Sequence, residues 1–395
     1  MSIYDKYGVR TIINAKGNVT RLSGGFLDAE VSAAMAEAAT YCVDVAELQA
    51  GASAVIAKLT GAEAGIVTSG AAAGLLVGTA ACITGLDPGK MARLPDTGGM
   101  KNEVVMVRSQ RNFYDHAVRT AGARLVEVGL PDRFAGAGVR DAEPWEIADA
   151  INERTAAVFY VAGGNARPPL ADVARAAHSA GVPVLVDAAA QLPPASNLRR
   201  FIQEGADLVA FSGGKAIGGP QGSGILAGKR DLVMSALLQQ LDLDILWEEW
   251  APPASLIDKD RLRGTPQHGV GRPCKVGKET VIGLLVALEK FAAENDHART
   301  QRLQAIIQSL QAALTGVDHA RIVPTGGANP KLELHLTPDA PRTAMQLAIE
   351  LARGNPSVHV DTSRAHAGIL SLSAWCLRDG DPENIAARIK PLLRY

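Results

Sequence analysis

Two residues stand out as able to do chemistry together, Lys215 and Asp187. Lys215 lies in Phe211-Ser212-Gly213-Gly214-Lys215-Ala216-Ile217-Gly218-Gly219-Pro220-Gln221-Gly222-Ser223-Gly224, where six of fourteen residues are Gly. Glycines let the backbone turn tightly and approach a bound group closely. A nucleotide P-loop does not fit, because Val209 stands where its first Gly belongs and Ala216 replaces the hydroxyl after the Lys. A lysine that forms a Schiff base with pyridoxal phosphate does fit, with Ser212 as a phosphate-holding hydroxyl. Asp187 closes the apolar run Val184-Leu185-Val186-Asp187. That is the strand end at which open α/β sheets bind ligands. An acid there can keep a pyridine nitrogen protonated, so that the ring accepts electrons. Each residue also has an ordinary reading, an exposed loop lysine and a helix N-cap aspartate.

Two further motifs belong with this pair. Thr68-Ser69-Gly70-Ala71-Ala72-Ala73-Gly74 runs from a strand into a helix through small residues. Backbone N–H groups at such a start suit one phosphate, and no GxGxxG is present to suit a dinucleotide. Arg111-Asn112-Phe113-Tyr114-Asp115-His116-Ala117 offers His116 as a ring that can stack on a flat cofactor.

The elements that position these residues alternate along the chain. Strands are expected at 65–68, 104–107, 125–128, 157–161, 184–187, 208–211 and 224–227. Helices such as 146–154 and 170–180 fall between them. Continuous apolar strands separated by helices predict an α/β fold, a mostly parallel sheet covered on both faces. This large domain is placed at 51–258. The Gly- and Pro-rich stretch around Gly264, Pro266, Gly269, Gly271 and Pro273 reads as a loop, followed by one long helical pattern from Gly277 to about Thr315. A strand at 332–336, a helix at 343–353 and strands near 358–360 and 369–372 make a smaller α+β C-terminal domain, 259–395. Residues 1–50 are expected to join it.

Composition limits the partners. Of the 395 residues, 40 are Lys or Arg and 41 are Asp or Glu, a formal net charge of -1. Nucleic acid and anionic membranes select strongly basic surfaces, so neither is expected as the main partner. Cysteines at 42, 82, 274 and 376 show no CxxC, which predicts neither a disulfide framework nor a metal site. The polar start Ser2-Ile3-Tyr4-Asp5-Lys6 has no signal-peptide character, so a cytoplasmic protein is expected.

Taken together, the order and spacing of these motifs resemble the aspartate-aminotransferase-like (fold type I) pyridoxal enzymes. Gly8-Val9-Arg10-Thr11-Ile12-Ile13-Asn14-Ala15-Lys16-Gly17-Asn18-Val19-Thr20-Arg21, the stretch around His116, and His268-Gly269-Val270-Gly271-Arg272-Pro273-Cys274-Lys275 resemble the selenocysteine synthase (L-seryl-tRNA selenium transferase)-like branch. Within it the chain is most similar to the D-glucosaminate-6-phosphate ammonia-lyase-like proteins. The resemblance implies pyridoxal phosphate as cofactor and a seven-stranded sheet. Lys215 would be the Schiff-base lysine and Asp187 the partner of the ring nitrogen. His116 would stack on the ring. Ser69, Gly70, Ala71 and Ser212 would hold the phosphate, with Gln191 near the ring hydroxyl. It implies a homodimer or larger homo-oligomer with shared active sites, in which the loop bearing Gly271 reaches the partner's phosphate. For the substrate carboxylate, Arg364 is the first candidate, then Arg272 and Arg10. Lys16, Arg21, Arg167 and His268 extend a positive rim if the substrate bears a second anion.

The expected activity is a lyase acting on a small amino acid or amino-sugar acid, with Lys215 as base and β-elimination giving ammonia and a 2-keto acid. Ser371-Leu372-Ser373-Ala374-Trp375-Cys376-Leu377 departs from the Asn-Pro pair such ammonia-lyases place before Cys-Leu. Aldol cleavage and racemisation therefore stay open beside elimination, since the cofactor motifs do not separate them. A tRNA-dependent selenium transferase and a non-catalytic partner protein of the same fold complete the alternatives. Bacterial enzymes of the first kind carry an added N-terminal tRNA-binding region, whereas this chain starts almost at the core motif.

Overall fold

The computed structural model describes residues 2–130, 132, 140–265 and 267–394; Pro266 of the expected loop lies outside them. Its strands are β1 (Ile12–Asn14), β2 (Ala64–Thr68), β3 (Glu103–Val107), β4 (Arg124–Val128), β5 (Thr155–Val161), β6 (Val184–Asp187), β7 (Leu208–Ser212), β8 (Gly224–Gly228), β9 (Ala320–Pro324), β10 (Lys331–Leu336), β11 (Ser357–His359) and β12 (Ile369–Ser373).

The chain forms two compact units, residues 27–292 and residues 1–26 with 293–395. The expected division fell at 50/51 and 258/259. Residues 27–50 and 259–292 count with the larger unit, and packing explains why. Helix Val45–Thr60 runs through residue 51 and buries Ala52 and Ile56. Helix Lys278–Ala293 buries Val281, Leu284 and Leu288 in the same cluster as Val186, Val209 and Phe211.

In the larger unit the seven expected strands form one sheet, in the order β2-β8-β7-β6-β5-β3-β4. β8 runs antiparallel to β2 and β7, and the remaining pairs are parallel. The continuous apolar runs are buried throughout in β2, β3, β6 and β8. Side chains alternate between faces at a period of two. Leu185, Leu208 and Ala210 therefore enter one core cluster, and Val186, Val209 and Phe211 the other. Helix Ala71–Thr84 covers the first face, and its small residues let it lie close. A methyl on Gly78 would meet Leu185, Leu208 and Leu226 at 3.2–3.4 Å.

β2 is an edge strand, which leaves backbone groups to satisfy. The buried Gln49 side chain does this at Val67, accepting from its N–H and donating to its carbonyl, both at 2.9 Å.

Two helices differ from expectation. The one expected at 146–154 spans Pro144–Ala150, because Asn152 instead begins a turn in which its N–H bonds Thr155 Oγ1. The long pattern from 277 divides into Lys278–Ala293 and Asp296–Ala313, where the Asn295 side chain caps the second helix at the His297 N–H.

In the smaller unit β1 pairs with β11 in parallel, and β12-β10-β9 form an antiparallel sheet. Helices Asp296–Ala313, Ala344–Arg353 and Asp381–Arg394 bury Leu310, Leu347 and Ile385 with Leu334 and Leu372. Among the described residues no helix is long and apolar enough to cross a membrane.

Candidate active site

The proposed cofactor residues gather along one end of the large sheet. Register places Thr68, Gly224 and Ser212 side by side across β2, β8 and β7, and Asp187 opposite Ala210. Alternation then sends Asp187 and Ser212 to the face that helix Ala71–Thr84 covers.

The turn between β2 and that helix is built around Gly70, whose φ is +109°. L side chains rarely adopt that conformation, so Gly is favoured here. Thr68 Oγ1 donates to the Gly70 carbonyl at 2.9 Å. No side chain caps the helix, and the first helical N–H to find a carbonyl belongs to Gly74. The N–H groups of Ala71, Ala72 and Ala73 are thus left for a ligand. A Cβ built on Gly70 would project into open space, room that an anion could fill. Ser69 lies beside them, its hydroxyl donating to the Cys274 carbonyl at 2.9 Å.

Asp187 is 8% exposed. Burial pushes its carboxyl above the usual range, against the Ala189 N–H at 3.0 Å and the nearby Lys215 charge. A buried carboxylate with one backbone bond is costly unless a cation joins it. Lys215 lies half-buried in the turn after β7, which the Gly213 N–H to Ser223 carbonyl bond closes at 2.9 Å. No hydrogen bond or ion pair among the described residues holds its amine.

His116 is exposed in the first turn of helix Asp115–Thr120. Its neighbour Asp115 is buried and accepts from Arg111 Nε at 2.5 Å and Arg119 Nε at 3.2 Å, which anchors the helix. Gln110, just upstream, accepts from the Val161 N–H at the end of β5, next to Asp187 in the register. Sequence reasoning missed Gln110, Asp115 and Gln49; their only signal was a polar residue beside apolar runs. Gln191 is half-buried, and its carbonyl receives the Asn197 amide at 2.6 Å.

Gly271 packs on the chain's own Val77 and Gln239, so its loop rests against the helix that starts at the Gly70 turn. The three arginine candidates already have partners. Arg272 binds Asp242 at 2.5 Å, Arg364 binds Glu333 at 2.6 Å, and Arg10 donates to the carbonyls of Ala352 and Arg353. Arg364 and Arg10 belong to the smaller unit. Of the rim residues, His268 faces Asp244 at 3.5 Å, and Arg167 reaches the Ala166 carbonyl.

The family model described as "SelA: L-seryl-tRNA selenium transferase" matches residues 13–244. The chain belongs to the L-seryl-tRNA selenium transferase family. Its architecture is the aspartate-aminotransferase-like (fold type I) one, shared across pyridoxal-phosphate enzymes. This selenium transferase family member is 31% identical to a 5'-C-glycyluridine monooxygenase-decarboxylase from Streptomyces sp, covering 99% of this chain and 92% of the relative. It is 28% identical to a D-glucosaminate-6-phosphate ammonia lyase from Salmonella typhimurium, covering 100% and 98%. A solved structure of D-glucosaminate-6-phosphate ammonia-lyase superimposes with a TM-score of 0.82 at 27% identity, covering 100% of this chain and 98% of that one. The ammonia-lyase-like branch expected from the sequence is thereby supported, and both of these relatives are enzymes.

Proposed function

We propose that this chain is a pyridoxal-phosphate-dependent lyase. It would release ammonia and a 2-keto acid by β-elimination from a small amino acid or amino-sugar acid. The observation that carries the reading is the common edge shared by the uncapped turn at Gly70, the buried Asp187 and the amine of Lys215. When bound, the cofactor supplies an electron sink for charge released at the substrate α-carbon. The Gly70 turn and Ser212 bind the phosphate. Asp187 holds a proton at the ring nitrogen, and that cation in turn offsets the cost of burying its carboxylate. His116 covers one ring face, and Gln191 lies on the side of the ring hydroxyl. The Lys215 Nζ takes the proton from the α-carbon. The substrate carboxylate needs a guanidinium, and Arg364, Arg272 and Arg10 each must exchange a present partner to serve. The working form is a cytoplasmic homodimer or larger assembly, with the loop at Gly271 against the neighbour's site.

Absorbance of the purified chain with added cofactor tests this reading, together with keto-acid release across D- and L-β-hydroxy amino acids and amino-sugar acids. Wild type takes up the cofactor and Lys215→Ala loses both the covalent spectrum and turnover. A chain that takes up none sinks the proposal. The Streptomyces relative favours a second reading, decarboxylation coupled to oxygen consumption. Carbon dioxide release in place of ammonia would select it. Aldehyde release would mark an aldolase and α-proton exchange alone a racemase. The net charge of -1 weighs against tRNA, and the retained Lys215 and Asp187 weigh against a non-catalytic protein.

A further inference from the structure

At the sheet end where the proposed cofactor residues gather, β5 runs on past its neighbour β3. Register pairs these two strands as far as Val105 and Val158, and Val161 lies beyond that pair. On its other side β5 is paired to its end, with Val161 opposite Asp187 and the Ala162 N–H on the Asp187 carbonyl at 2.9 Å. The Val161 N–H thus falls where the ladder to β3 has stopped, and it needs another acceptor.

Gln110 supplies it. This residue is 8% exposed and closes the short turn Arg108–Gln110 that follows β3. Its Oε1 accepts from the Val161 N–H at 2.9 Å, and its Nε2 donates to the Arg167 carbonyl at 3.2 Å. A backbone N–H only donates and a carbonyl only accepts, so these two neighbours fix which end of the amide faces each. The loop after β5 is held again one residue later, where the Tyr160 hydroxyl donates to the Pro168 carbonyl at 3.3 Å. The turn bearing Gln110 is anchored as well. Arg108 Nε binds Glu127 of β4 at 3.2 Å, and the Ser109 hydroxyl donates to Asp141 at 2.8 Å. The next residue, Arg111, bonds Asp115 at 2.5 Å in the helix that carries His116. One buried amide therefore ties the segment presenting His116 to the strand end beside Asp187, across 51 and 57 positions of sequence.

We propose that Gln110 is a positioning residue for a flat ring bound between His116 and Asp187. Its amide sets the spacing of the two segments before a ligand arrives, so that less ordering is left to be done on binding. The inference rests on the pyridoxal-phosphate reading above and goes beyond it, because Gln110 acts through its neighbours and makes no contact with the cofactor itself.

The test is titration of the full-length chain with pyridoxal phosphate, read by absorbance and by the circular dichroism of the bound cofactor, which reports how the ring is seated. Gln110→Ala removes both bonds. Gln110→Glu keeps the size and the acceptor for Val161 but sets a carboxylate against the Arg167 carbonyl. Asn152→Ala is the control for a merely structural role. At the opposite end of the same strands, the Asn152 side chain donates to Glu103 Oε2 at 2.9 Å and accepts from the Arg154 N–H at 2.8 Å. Gln110→Ala should weaken cofactor affinity about tenfold and alter its dichroism, with a smaller change in Gln110→Glu. Asn152→Ala should lower the melting temperature yet bind and seat the cofactor as wild type does. Wild-type affinity and dichroism in Gln110→Ala, or equal changes in Asn152→Ala, overturns the proposal. Should Gln110→Ala fail to fold, Gln110→Glu against Asn152→Ala carries the same comparison. No uptake by wild type overturns the lyase reading as well, whereas uptake that Gln110→Ala leaves untouched overturns this inference alone.

Discussion

Gly224 lies so close to Gly70 that a Cβ on it would come within 2.4 Å of the Gly70 carbonyl carbon and 2.6 Å of the Ala71 nitrogen. Both contacts are with backbone, which cannot swing aside as a flexible side chain could. Gly224→Ala therefore displaces the turn offered to a phosphate. We expect a loss of about 1–3 kcal/mol in stability from overpacking. Cofactor retention falls more steeply than the melting temperature, and gel filtration followed by absorbance checks it. A variant that keeps its cofactor and its melting temperature shows that the turn is not needed in this shape.

Asp187→Asn separates stability from activity. Burial raises the folded-state carboxyl above its unfolded value. The charged form is thus destabilising in the ligand-free chain above that raised value, and the cost vanishes as pH falls through it toward the unfolded one. Asn carries no such charge. The cofactor-free variant should be more stable than wild type at neutral pH, with the difference shrinking on acidification. Turnover should drop on the order of a hundredfold or more, since the ring nitrogen loses its proton holder. Denaturant melts of both proteins between acid and neutral pH read the first effect.

Asp115→Ala should act through His116 without touching a ligand. It frees Arg119, leaves Arg111 with Glu127 alone, and removes the anchor of their short helix. Both arginines are partly exposed and can rehydrate, so the stability cost is about 1–2 kcal/mol. The telling readout is the spectrum of bound cofactor, which shifts if His116 leaves the ring. Asp115→Glu, which can still bind both guanidinium groups, should restore part of the signal.

Gln49→Ala exposes the price of an uncovered edge. The variant strands the N–H of Val67 in the interior and leaves its carbonyl only the Gln240 amide at 3.5 Å, on the strand that leads into the Gly70 turn. A cost of about 1–3 kcal/mol is expected from urea midpoints. Hydrogen exchange should speed up at Val67 before it does in the central strand β6.

Much of the fold was legible because its signals are local. Apolar runs such as Val184–Val186 announce strands buried on both faces, and all seven entered one sheet. The Gly-dense loop at Lys215 and the acid closing β6 were legible as neighbours at one sheet end, since each follows directly from the strand before it and β6 and β7 pair in parallel. The break at Asn295 was hidden, because the helical pattern continues on either side and only the cap at the His297 N–H divides it.

What sequence alone determined here was the inventory: which residues could hold a phosphate, a ring or a proton, and the strands and loops they sit on. Tertiary structure decided their partners. Arg364 reads as free until β10 brings Glu333 to it from 31 positions away, and Arg272 until Asp242 meets it from 30. Gln49 reads as one more polar helix residue until β2 lies beside it at the sheet edge. Periodicity and turn chemistry are written within a few residues, whereas charge pairing and edge protection depend on segments that only folding brings together.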